Sequence, residues 1–252
     1  MLQQIALGGT MIALPIYLQM VLEYNAMQAG LSLAPLSLTM FAVAILAGKR
    51  AGKRRPAGII RWGFVLLTAG LVVLIPIVPR ADSGWYLLVP LVIAWRGVGL
   101  LVSQLKNYTL APISEERVSE AAGVNSAAGS FGLSFGLAFA GAIMLASLSF
   151  AFTSLAESST VLAPAEQQQV AAALEDDAEV MSNTALAEQL ADQPPATQAE
   201  IIRINTDARP LALQVALLIP ILAGLIGLIN SFRMMRLPDP KPSGSADGTI
   251  LG

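Results

Sequence analysis

Arg96 is the residue whose setting most demands a chemical explanation. It stands in VPLVIAWRGVGLLVSQL, a stretch apolar enough to cross a bilayer. A cation at that depth needs a cavity, an anionic partner or a path to the interface. No carboxylate lies at comparable depth in the other apolar stretches. Three roles stay open for Arg96: snorkelling to the interface, a structural role against carbonyl dipoles or water, or contact with an anionic group of a substrate or of a segment outside this chain. Gln104 follows on the same stretch, between Ser103 and Asn107. In the first apolar stretch Tyr17 and Gln19 flank the turn begun by Pro15, which removes a backbone N–H and can bend a helix. Tyr17, Gln19 and Gln104 are candidates to line a cavity, with the interface as the other place for Gln19.

A second pattern concerns packing. Residues 119–143, SEAAGVNSAAGSFGLSFGLAFAGAI, carry Gly123, Gly129, Gly132, Gly136 and Gly141 among serines and alanines. Gly132 and Gly136 are four apart and share a helix face. Small residues let membrane helices approach closely. Such a seam serves plain packing, or a sliding contact between moving helices. Gly97 and Gly99 beside Arg96 suggest close packing there too.

The remaining composition excludes most chemistry. The chain has no cysteine and no histidine, which removes thiol catalysis, disulfides and the commonest metal ligand and near-neutral base. No cofactor and no enzyme activity are expected. A formal charge of −2 without a basic face speaks against a nucleic-acid partner.

The elements that must hold these residues are membrane helices. Hydrophobic residues make up 55% of the chain and charged residues 13%, about half the charge of a soluble surface. A crossing helix needs about 20 apolar residues for about 30 Å of hydrocarbon. Six stretches meet or approach that length: residues 3–22, 31–48, 57–78, 85–105, 121–150 and 210–232. The expected fold is all-α, a polytopic six-helix bundle embedded in a lipid bilayer. Its division places five transmembrane helices in residues 1–150, an acidic extracytoplasmic loop with short helices in 151–209, the last crossing in 210–232 and a disordered tail in 233–252. The loop holds ten acidic residues and two arginines. Pro164 suits a first helical turn there, and Asn183 or Thr184 suits a cap. Lys49, Arg50, Lys53, Arg54 and Arg55 mark one connection as cytoplasmic; Lys106, Arg117, Arg233 and Arg236 fall on the same side. Both termini are then cytoplasmic, in a plasma membrane.

In order and spacing, IYLQMVLEYNAMQAGLSLAPLSL, AGKRAGKRRP, RGVGLL and the glycine-rich stretch resemble the C-terminal half of a major facilitator superfamily transporter. The nearest likeness is to the fourteen-helix drug:H+ antiporter group (DHA2, EmrB/QacA-like). The resemblance implies proton-coupled efflux of small or lipophilic compounds by alternating access. It also implies a missing N-terminal portion of six to eight helices, so that the chain is a fragment inactive alone. With no acid at depth, the substrate is neutral or anionic, or the missing portion supplies the acid. The alternative role is a membrane scaffold or assembly protein without transport.

Overall fold

A computed structural model describes residues 1–49, 55–176 and 182–236 of the 252-residue chain. Arg50, Lys53, Arg54 and the tail from residue 237 lie outside the described residues. Among those described there are helices and no strand. In order they are α1 (Leu2–Met20), α2 (Ala26–Lys49), α3 (Pro56–Ile77), α4 (Gly84–Leu110), α5 (Val118–Glu157), α6 (Pro164–Asp176), α7 (Asn183–Gln189) and α8 (Pro195–Met234). Three-residue 3-10 turns follow α3 and precede α5.

The sequence marks where these helices start. Asn25 and Gln28 form a reciprocal cap for α2: the Gln28 amide donates to Asn25 Oδ1 and the Asn25 amide to Gln28 Oε1. Pro56 and Pro195 open α3 and α8, where the missing N–H is no loss. Pro164 opens α6. Ser182, not Asn183 or Thr184, caps α7 by accepting from the Ala185 amide.

The helices form two groups. α1, α5 and α8 pack on one another, α4 packs between α3 and α2, and α8 joins the groups through α3. Gln214 Nε2 on α8 donates to the Ile75 carbonyl on α3 across that junction.

Five helices are long and apolar enough to cross a membrane: α2, α3 with its 3-10 turn, α4, α5 with its preceding turn, and α8. Six crossings were expected, and α1 is the one that this measure leaves out. It is 19 residues long, but it does not reach the apolarity of the others. Gln3, Gln4 and Gln19, with Thr10 and the Gly8–Gly9 pair, lower its hydropathy. Those residues are tolerated because α1 sits inside the bundle. Gln3 and Thr10 are buried, and Thr10 Oγ1 donates to the Ala6 carbonyl at 2.7 Å.

α5 and α8 are each 40 residues long. At about 1.5 Å per residue they reach about 60 Å, twice the hydrocarbon thickness. The stretch expected as an acidic loop with short helices holds the last turns of α5, then the short α6 and α7, and the first turns of α8. Ile201, Ile204 and Ala208 recur on one face and extend α8 back from Pro210, which the helix accommodates in its interior. With Phe152, Ala156, Leu162, Leu174 and Leu186 they build a small apolar core at this end.

Candidate functional site

Glycines set the spacing between helices. A Cβ on Gly136 would overlap the Ile5 carbonyl oxygen, and one on Gly132 would lie 2.8 Å from the Met1 carbonyl oxygen. From the other side, a Cβ on Gly8 would overlap the Leu133 carbonyl oxygen. The α1 and α5 backbones thus meet with no side chain between them. The rest of the predicted seam is looser. Gly141 would meet Ile12 at an ordinary 3.4 Å, Gly129 has nothing nearer than 3.9 Å, and Gly123 faces open space.

A second set of close approaches holds α4. A Cβ on Gly97 would overlap the Gly63 oxygen and Leu67 nitrogen of α3, and one on Gly99 would lie 2.7 Å from the Met40 oxygen of α2. Gly63 and Gly70, not singled out in the sequence, complete the α3–α4 contact. Their seven-residue spacing, two helical turns, is the signal that was available.

Arg96 lies on α4 between buried Trp95 and buried Gly97, yet is itself exposed on the bundle surface. It takes no part in the ion pairs Arg117–Glu120, Arg203–Glu200 and Arg203–Asp207. Gln104, two turns on, is buried; its Nε2 has no partner among the described residues.

The α1 candidates separate. Tyr17 is 3% exposed, and its hydroxyl donates to the Val78 carbonyl at 2.8 Å, tying α1 to the turn after α3. It also lines an apolar cleft of about 60 Å³ between α1, α5 and α8, with Ile12, Ile16, Met144, Leu148 and Arg209. Gln19 turns back instead: its Nε2 donates to the Pro15 carbonyl at 3.2 Å on the same helix. Pro15 is half-buried, on the same helix as both.

A polar chain leads from that cleft to α7. Arg209 is buried, and its Nε donates to Asn205 Oδ1. Asn205 donates to Asn183 Oδ1, and Asn183 donates to Thr206 Oγ1. Next to Asn183, the Thr184 amide donates to Glu23 Oε1 at 2.8 Å, and the Thr184 hydroxyl donates to Glu23 Oε2. Glu23 belongs to the α1–α2 turn and has a φ of 53°. At the opposite end Lys49 closes α2, Arg55 precedes α3, and the Arg61 guanidinium lies 5.7 Å from the Phe232 ring centre.

Close backbone contacts thus hold the helices together, and one small apolar cleft opens between α1, α5 and α8. Residues 1–137 match the sequence profile of the Major Facilitator Superfamily. The chain is 25% identical over 139 residues to a Streptomyces coelicolor protein named "Probable actinorhodin transporter", covering 54% of this chain and 24% of that protein. It is 32% identical over 130 residues to the "Multidrug resistance protein B homolog" of Mycobacterium tuberculosis, covering 50% of this chain and 24% of the relative. It is 32% identical over 136 residues to the "Uncharacterized transporter YebQ" of Escherichia coli, covering 54% and 29%. The chain thus spans about a quarter of the length of the curated relatives it matches. No solved structure matches it significantly.

Proposed function

Because the chain belongs to the Major Facilitator Superfamily, we propose that it forms the C-terminal six-helix half of a proton-coupled exporter of small, lipophilic compounds. Members of this superfamily are transport proteins, not enzymes. The observation that carries the proposal is the match of residues 1–137 to the superfamily, which spans the first four helices and half of α5. Two structural features support it. At Gly8, Gly132 and Gly136 the α1–α5 contact is backbone against backbone, a smooth stretch along which one helix can slide past another. The small cleft of about 60 Å³ beside it is lined mostly by apolar side chains, a wall suited to lipophilic material though too small to hold a cargo by itself.

In this proposal α1 is the sixth crossing. Its 19 residues reach about 28 Å, close to the hydrocarbon thickness. The likeness to the fourteen-helix drug:H+ antiporter group supports an export direction. The basic residues Lys49, Arg55, Lys106, Arg117, Arg233 and Arg236 face the cytoplasm of a plasma membrane, as do both termini, and the acidic α6–α7 end lies outside. Further helices of the transporter close the cavity on the side that this bundle leaves open, and this chain alone does not pump.

The test is efflux of a neutral dye. Efflux-deficient cells expressing the full reading frame are loaded with N-phenylnaphthylamine and then energised. Fluorescence should fall faster than in control cells, and the gain should vanish with a protonophore. Loss of dye that ignores the protonophore would remove the coupling; no gain at all would remove export. Residues 1–252 expressed alone should give no gain.

A further inference from the structure

Arg96 sits at the middle of α4, twelve residues from Gly84 and fourteen from Leu110. At about 1.5 Å per residue this places it about 18–21 Å from either helix end. Half of the hydrocarbon layer is about 15 Å. An arginine side chain, with bonds of about 1.5 Å, reaches roughly 6–7 Å from its Cα. Snorkelling therefore falls well short of the interface in a bilayer of ordinary thickness.

Inward rotation is closed as well. Gly97 lies against the α3 backbone and Gly99 against the α2 backbone, too near for any added carbon. These two contacts fix the rotation of α4 about its axis. Trp95 and Val98 fill the interior beside them. Arg96 is held on the remaining stripe, with Val89, Ile93, Leu100, Ser103 and Asn107 at helical spacing. That stripe offers apolar surface on both sides of one cation, with polar groups toward one end.

This bundle brings no carboxylate to it. There is no Asp or Glu in α1, α2, α3 or α4. In α5 the acids are Glu120 and Glu157, at its ends, and in α8 they are Glu200 and Asp207, in its first turns. A cation at the middle of α4, with no acid at a comparable place in the described apolar helices, is complementary to an anion brought from outside. We infer that Arg96 is an anion-recognition residue on the outer stripe of α4, and that the exported compounds include ones that join a carboxylate, sulfonate or ionised phenol to an apolar body. The guanidinium binds the anionic group through charge-assisted hydrogen bonds, and the aliphatic residues of the stripe pack the apolar body. A lipophilic cation is repelled at the same place. This inference rests on the export proposal and names its substrate class.

A matched pair of probes tests it. Anilinonaphthalene sulfonate is anionic; N-phenylnaphthylamine is the same framework without the sulfonate. Both are titrated by fluorescence onto the purified chain in phosphatidylcholine nanodiscs, with empty discs subtracted. Arg96→Gln should weaken sulfonate binding about ten- to hundredfold, leave the neutral probe within about twofold, and leave the melting temperature unchanged. Arg96→Lys should keep most of the sulfonate affinity. Unchanged sulfonate binding in Arg96→Gln, with the neutral probe still bound, overturns the inference alone. Equal weakening of both probes makes Arg96 a packing residue and also overturns it. If the wild-type chain binds neither probe above empty discs, the lipophilic cavity of the export proposal falls as well.

Discussion

α1 and α2 are neighbours in sequence and similar in length, yet they solve the membrane problem in opposite ways. α2 is strongly apolar, but only Ala29 and Leu36 of its residues are buried. It packs along α4 and hardly elsewhere. α1 misses the apolarity of a crossing helix, yet it lies between α5 and α8 with Ala6, Ala13, Leu14, Tyr17 and Leu18 buried. In water the more buried helix would be the more apolar one. In a bilayer lipid tails are as apolar as leucine, so burial is driven by close packing rather than by escape from solvent. Hydropathy here measures exposure to lipid; small and polar residues mark the interior.

The contrast can be broken most directly at the α1–α5 contact. Gly136→Leu places a side chain where the Ile5 backbone already sits, and should destabilise the detergent-solubilised protein by about 3 kcal/mol. A melting temperature that does not move would show that α1 is not anchored there. A smaller effect is expected from Tyr17→Phe. It leaves the Val78 carbonyl without its buried donor at a loss of about 1–1.5 kcal/mol, read by the same melt. The smallest change belongs to α2. Nothing lies within 4 Å of a Cβ on Gly30, so Gly30→Ala should raise stability slightly, by less than about 1 kcal/mol through helix propensity. A marked loss would mean that α2 is packed more closely than its exposure indicates.

Much of the architecture was legible in the residues. Apolar runs located α1, α3 and the start of α4 to within a few positions. The run 210–232 marks only the apolar part of α8; Ile201, Ile204 and Ala208 continue a buried face before it, among polar residues that hide it from a hydropathy reading. The depth of Arg96 followed from its position in the run, but its direction did not. Direction depends on which backbones Gly97 and Gly99 touch, and those belong to other helices. The direction of Gln19 was out of reach for a related reason. Its nearest acceptor, the Pro15 carbonyl, is one turn back on its own helix, and a sequence does not say which acceptor a flexible amide takes.

The turn that carries Glu23 joins the buried helix to the exposed one. Its left-handed backbone, sparsely populated for a side-chain-bearing residue, is kept in place while its carboxylate is held by Thr184, 161 positions later in the chain. The turn is thus a bent hinge with its catch on a separate part. Both bonds of the catch are at an exposed site, where water competes for the same groups, so it lets go readily and closes again readily. The turn between α1 and α2 is thereby tied to α7, so a fluorophore on α7 reports on whether that bond is made.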